Sequence, residues 1–153
     1  MQFYGNIEGK VDGKGRVFLP APFRKELTVS GVTDLMVRPS VDGRYLELYP
    51  NSVWNAYLDS ITSKMDEFAE DDRELLRTIV WNVEKVTPDG SGRILISRRF
   101  LEEAGIGDTV RFLGMKDRIE IWPIEGAQAP KMDIKEFNER LKALRSRNAN
   151  PNT

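Results

Sequence analysis

Two hydrophobic periods alternate along this chain. Over Ile7 to Val11, Arg16 to Leu19, Asp34 to Arg38 and Tyr45 to Tyr49, apolar and polar residues trade places at steps of about two, the period of a half-buried strand. In the last of these, Leu46 and Leu48 point one way while Tyr45, Glu47 and Tyr49 point the other. Four further segments read the same way: Val83 to Thr87, Ile94 to Ile96, Thr109 to Leu113 and Arg118 to Trp122. Helical spacing takes over between them. Pro20 and Pro22 break a strand, and Pro22 can begin a short helix whose buried face carries Phe23 and Leu27, four residues apart. After Pro50, with Asn51 or Ser52 as cap, Val53, Trp54, Tyr57, Leu58, Ile61, Met65 and Phe68 form one stripe at steps of three and four. A further helix begins at Asp71 or Asp72 and carries Leu75, Leu76, Ile79 and Val80. Both stripes are expected to be core, and their Trp and Tyr residues to be packing rather than a base-stacking platform. Phe100 to Ala104 reads as a helical turn closed by Gly105. Asp133 and Glu136 are spaced as a capping box for a helix bearing Ile134, Phe137, Leu141 and Leu144, and Arg145 to Thr153 reads as a frayed, disordered end.

The order of elements is β-rich unit, helical linker, β-rich unit, helical tail, and the two units are copies. Val11 to Phe18 reads VDGKGRVF and, 77 residues later, Pro88 to Leu95 reads PDGSGRIL. Each copy continues to a Phe in register, Phe23 or Phe100, and reaches a strand ending in an aromatic and a proline, YLELYP or RIEIWP. The division that follows is residues 5–52 and 81–124 for the two repeats, 53–80 for the linker, and 125–153 for the C-terminal helix and tail. Repeats of about 45 residues are marginal alone, so the two are expected to pack on each other around a shared core.

Composition removes several kinds of chemistry. The 153 residues include no Cys, which leaves neither disulfides nor thiolates, and no His, the usual metal ligand and general base. No stretch reads as a signal peptide or a membrane span, so a cytoplasmic protein is the expectation. The formal net charge of -1 is unusual for a protein that binds nucleic acid, but the charge is unevenly spread. Gly9 to Leu27 holds five basic residues (Lys10, Lys14, Arg16, Arg24, Lys25) against two acidic ones. Asp59 to Glu74 holds seven acidic residues against Lys64 and Arg73. A basic loop region and an acidic middle therefore cancel, although each alone could be an ordinary solvated face.

The chemistry that recurs is D-x-x-x-R, Asp12 with Arg16 and Asp89 with Arg93, wrapped around glycines. Across a tight hairpin turn the carboxylate and guanidinium can meet, and a guanidinium held in place keeps donors for a phosphate oxygen or a guanine edge. A hairpin locked by a local ion pair explains one such motif without any function. Two, in repeats whose other loops have diverged, point to a charged loop that is needed twice. An enzyme is poorly supported, since Ser91 and Ser97 have no His to activate them and the carboxylates are scattered; no cofactor, metal or nucleotide site is legible.

VDGKGRVFLPAPFRKEL, its second copy PDGSGRILISRRFLEEAGIGDTV and the YLELYP and RIEIWP segments resemble the MraZ family, with two SpoVT-AbrB repeats in one chain, over about Gly5 to Pro123. The resemblance implies an AbrB-like swapped-hairpin barrel, α+β and β-rich, made of two tandem β-loop-β repeats. It implies a DNA-binding transcriptional regulator, usually a repressor, acting on the division and cell wall gene cluster and its own promoter. It also implies binding to direct repeats in double-stranded DNA, association with the nucleoid and assembly into ring-shaped homo-oligomers. The family's loop residues carry over onto Asp12, Lys14 and Arg16 and onto Asp89 and Arg93. Ser91 stands where Lys14 does, and Ser97 where Pro20 does, so the two loops are not equivalent. The reading that competes is a ring-forming scaffold for partner proteins, in which the loops only lock hairpins.

Overall fold

All eight period-two segments are strands in the computed structural model, which describes residues 1–124 and 130–147. In chain order they are β1 (Asn6–Lys10), β2 (Arg16–Phe18), β3 (Leu35–Pro39), β4 (Leu46–Pro50), β5 (Glu84–Val86), β6 (Arg93–Leu95), β7 (Thr109–Gly114) and β8 (Ile119–Pro123). The helices are α1 (Ala21–Val29), α2 (Asn51–Thr62), α3 (Glu70–Trp81), α4 (Arg98–Glu103) and α5 (Ile134–Ser146). The chain is thus α+β and β-rich, and among the described residues no helix is long and apolar enough to cross a membrane.

The repeats exchange their first strands. One antiparallel sheet has the order β1-β7-β8-β4-β3-β5, so β1 of the first repeat pairs with β7 of the second and β5 of the second pairs with β3 of the first. The remaining strands, β2 and β6, pair only with each other, as a two-stranded antiparallel ribbon. The hairpin expected around Asp12 to Gly15 is therefore corrected: β1 and β2 meet only at the bridge between Val11 and Val17 and then part into different sheets. Local turn chemistry set the reversal of the chain, but the partner of each strand is chosen by which pairing buries its apolar face.

Alternation delivers one core from both repeats. Leu35 and Val37, Leu46 and Leu48, Val110 and Phe112, and Ile119 and Ile121 are fully buried on the sheet, and Val17, Leu19, Ile94 and Ile96 are buried beneath the ribbon. Phe23 of α1 and Phe100 of α4 occupy matching positions in this core, and Phe3 meets Phe23 edge-on at 5.8 Å. Each such side chain contributes about 1.5–3 kcal/mol by leaving water. Gly105 takes the expected left-handed conformation after α4, with φ of 68°.

The opposite face of β4 is buried as well. Glu47 lies directly across from Glu120 of β8, and both are almost fully covered. Arg38 answers Glu47 with a 3.1 Å ion pair, and Arg118 approaches its other oxygen at 3.6 Å. The Arg38 guanidinium also donates to the hydroxyls of Tyr49 and Tyr57, and it lies against the rings of Tyr49, Trp54 and Tyr57 at 4.8–5.4 Å. This cage fastens α2 to the sheet. Glu120 has a different partner, accepting a hydrogen bond from the Trp122 indole at 2.8 Å.

The linker departs from expectation. Pro50 rather than Asn51 or Ser52 holds the N-cap position of α2, with no side-chain cap bond, and only Trp54 of its stripe is buried. Glu70, Asp71 and Asp72 do occupy the first turn of α3, but α3 buries none of its residues. Phe68, Leu75, Val80 and Trp81 are exposed, Phe68 at 83% and Trp81 at 76%. The stripe is real and is not core: the shared core is already filled by the repeats, and among the described residues no element of the same chain covers the stripe. Asp133 caps α5 by accepting from the Glu136 N–H, while Ile134, Phe137 and Leu144 remain exposed. Arg145 and Ser146 belong to α5, and most of the expected disordered end, 148–153, lies outside the described residues.

Candidate nucleic-acid interface

Both D-x-x-x-R loops fold into the same hydrogen-bonded knot. In the first, one oxygen of Asp12 accepts the backbone N–H groups of Lys14 and Arg16, both at 2.9 Å, and the other accepts Arg16 Nε at 2.8 Å. In the second, Asp89 accepts from Ser91 and Arg93 at 2.9 and 3.0 Å and from Arg93 Nε at 2.9 Å. Backbone bonds between Asp12 and Arg16 and between Asp89 and Arg93, 2.8 Å each, close the two turns. The aspartate thus orders the loop and grips only Nε. Among the described residues the terminal nitrogens of both guanidiniums have no partner, on side chains that are about a third exposed.

Gly15 and Gly92 make the geometry possible. Each has a positive φ, 87° and 86°, in which an L side chain is strained. Each carbonyl accepts the strand continuation of the other repeat: Ile96 N–H donates to Gly15 and Leu19 N–H to Gly92. A Cβ on Gly15 would come within 2.6 Å of the Ile96 carbonyl oxygen, whereas one on Gly92 would meet the flexible side chain of Arg24.

The ribbon puts both arginines on one surface. In its register Arg16 faces Leu95, Val17 faces Ile94 and Phe18 faces Arg93. Directly paired residues share a face, so Val17 and Ile94 point into the core while Arg16, Leu95, Phe18 and Arg93 point outward together. The two loops emerge at opposite ends of this face in a pseudo-two-fold arrangement. A two-stranded β-ribbon with terminal arginines has the width that the major groove of DNA admits.

The model of the family described as MraZ protein matches residues 3–78 and 80–135. The chain belongs to the MraZ family. It is 42% identical to a Bacteroides thetaiotaomicron protein over 94% of this chain and 92% of that one. It is 40% identical to one from Phocaeicola vulgatus over 98% and 97%, and 37% identical to one from Chlorobium phaeovibrioides over 78% and 83%. Each of these relatives is named a transcriptional regulator MraZ.

Within this MraZ-family chain, Asp12, Arg16, Asp89 and Arg93 are brought onto one face by the exchange of strands, and Lys14 sits exposed at the tip of the first loop. Four neighbours lie outside the repeated motif. Phe18 and Leu95 lie exposed beside the arginines, Arg24 of α1 packs on Gly92 of the other repeat, and Arg98 of α4 approaches the Gly13 carbonyl at 3.5 Å. Alternation around Val17 and Ile94 marks Phe18 and Leu95 only as outward. No pattern within either copy reports that α1 and α4 each reach across to the other copy's loop.

The knot also leaves an electrostatic signature. The Arg16 N–H bond, then the Arg16 guanidinium and the Lys14 N–H, lower the Asp12 pKa from 3.8 to about 2 against an opposing desolvation. Asp89 is lowered by the equivalent bonds, led by that from the Arg93 N–H. A depressed carboxylate adds stability above its unfolded pKa and loses it as pH falls through the folded one. Loop 1 is therefore expected to stay locked throughout the neutral range and to loosen only between pH 3.8 and about 2. Carboxyl-carbon NMR of Asp12 reads this directly, and a midpoint at the ordinary value would mean that the bonds to Arg16 do not persist in solution.

Proposed function

We propose that this protein is a sequence-specific, double-stranded-DNA-binding transcriptional regulator that contacts DNA with its two D-x-x-x-R loops. The observation that carries the reading is the placement of Arg16 and Arg93, bonded to their aspartates through Nε and with terminal nitrogens that have no partner among the described residues, on the outward face of one ribbon. The regulators named among its relatives support the same class. In the finer form that the family resemblance implies, the protein acts as a repressor of the division and cell wall gene cluster, including its own promoter. It works in the cytoplasm at the nucleoid, gripping direct repeats as a ring-shaped homo-oligomer.

The exposed apolar stripe of α3 supports self-association, since a patch of this kind on a lone chain invites a partner. Assembly also answers the near-neutral charge: subunits that turn their basic loops to one face concentrate positive potential there, and weak contacts add through effective concentration. The same stripe is what a scaffold for other proteins would display, so a DNA measurement must separate the two.

The test compares wild type with the Arg16→Ala/Arg93→Ala variant on DNA upstream of the gene, across a salt series, with particle size followed by light scattering. Removing two guanidiniums that each contribute about 1–3 kcal/mol predicts a specific affinity lower by roughly a hundredfold or more. The slope of log K against log salt is expected to flatten by about 0.9 for each phosphate that is no longer neutralised. Equal binding by both proteins at unchanged size would hand the loops a purely structural role and bring the scaffold forward. Because loop 1 carries Lys14 where loop 2 carries Ser91, Arg16→Ala alone is expected to weaken binding more than Arg93→Ala alone.

A further inference from the structure

Two of the four outward positions of the ribbon are apolar, which a surface that only gathers phosphate would not need. Phe18 and Leu95 are 54% and 58% exposed, and on the outward face each stands directly across the ribbon from an arginine, Leu95 from Arg16 and Phe18 from Arg93. Neither is required by the core, because the inward positions of these strands are filled by Val17 and Ile94. Two exposed apolar side chains flanked by guanidiniums are instead arranged for a target with both anionic groups and flat or methylated apolar surface. The floor of the DNA major groove is such a target: thymine presents its methyl group there beside the acceptors of the neighbouring bases. Spacing agrees with this. Residues two apart on a strand are separated by about 6.8 Å, close to two base steps of about 3.4 Å.

The pair also breaks the symmetry of the site. Phe18 lies opposite Arg93, whose guanidinium carbon sits 5.8 Å from the centre of the Phe18 ring, while Arg16 lies opposite the aliphatic Leu95. Arg93 is therefore held by Asp89 on one side and by an aromatic face on the other, and among the described residues Arg16 is held by Asp12 alone. A nearly two-fold backbone thus presents two different reading surfaces, and a site made of such halves is directional.

We infer that Phe18 and Leu95 are specificity-determining residues that contact pyrimidine 5-methyl groups in the major groove, each beside one of the two arginine contacts, with Phe18 the stronger reader. The inference rests on the DNA-binding reading given above. It differs from a phosphate contact in its signature: taking away an apolar base contact lowers specificity and leaves the salt slope alone.

The experiment uses the full chain. Wild type selects a duplex from a random-sequence pool, and binding of wild type, Phe18→Ala, Phe18→Leu, Leu95→Ala and Arg16→Ala/Arg93→Ala is measured on that duplex and on an unrelated one of equal length. Phe18→Ala is expected to bind the selected duplex about tenfold more weakly, with no change on the unrelated one and an unaltered salt slope. Leu95→Ala is expected to show a smaller drop, and Phe18→Leu to retain part of the preference. Replacing single thymines by uracil, which removes only the methyl, should cost wild type about fourfold at one or two positions and cost Phe18→Ala nothing there. The inference is overturned if Phe18→Ala matches wild type on the selected duplex, or weakens equally on both duplexes, or changes particle size. In those cases weaker binding by the double arginine variant still leaves the DNA reading standing. If that variant also binds like wild type, or wild type enriches no duplex, both readings fall together.

Discussion

Arg38→Ala is expected to lower folding stability by about 3 kcal/mol, the lower end of the cost of removing one partner of a buried ion pair. Glu47 would remain almost fully covered, directly opposite the second carboxylate of Glu120, with only the longer approach of Arg118 to answer it. Tyr49 and Tyr57 would lose the donor to their hydroxyls, and the Tyr49, Trp54 and Tyr57 rings the cation they surround. Urea unfolding at fixed protein concentration reads the effect as a midpoint lower by roughly 1–2 M. The companion variant Arg38→Met/Glu47→Leu separates causes. Removing both charges also relieves the facing carboxylates, so the double variant is expected to recover much of the stability. A double variant as unstable as Arg38→Ala would mean that packing of α2, and not the orphaned Glu47, dominates.

The second large effect is Gly15→Ala. The substitution imposes a strained positive φ and drives a methyl to 2.6 Å from a backbone oxygen that has no freedom to move aside, since Ile96 is itself bonded to Gly15. A cost of about 1–3 kcal/mol follows from the strain alone, and the close approach adds to it. Gly92→Ala shares the strained angle but meets the side chain of Arg24, which can swing away, so its cost is expected to be smaller. Gly13→Ala meets nothing within 4 Å and its φ is not in the left-handed region, so it should be close to neutral. The order Gly15, Gly92, Gly13 in thermal midpoints is the measurement, and DNA affinity should follow it because Arg16 is positioned by the same loop. Equal midpoints for Gly15→Ala and Gly13→Ala would show that the loop yields without cost.

Strand positions were legible because each strand has one face in a filled core, and an alternation such as Leu35, Val37 against Met36, Arg38 can be satisfied in only one way. The helices were legible for the same reason in their periodicity, and so was the buried face of α1, Phe23 and Leu27, but the destination of α3 was not. The stripe of α3 has the spacing of a core helix, and spacing cannot report that the core is already full; Leu75 and Val80 face water instead. The hairpin around Gly13 failed differently. Asp12 and Gly15 do make the turn, and pairing beyond Val11 and Val17 is then taken over by strands about a hundred and about eighty residues away.

By itself, the sequence determined that there are two copies of one β-loop-β unit, that each loop carries an aspartate able to hold an arginine, and that both units need a partner to bury their apolar faces. These are local facts: a period, a turn, a side chain and its neighbour four residues on. The tertiary structure alone decided which strands pair across the repeats. That exchange laid Arg16, Leu95, Phe18 and Arg93 on one surface, and it set Arg24 and Arg98 beside loops that belong to the other copy. The physical reason is that strand pairing is chosen by the burial of a shared core, a property of both repeats together that neither copy encodes alone.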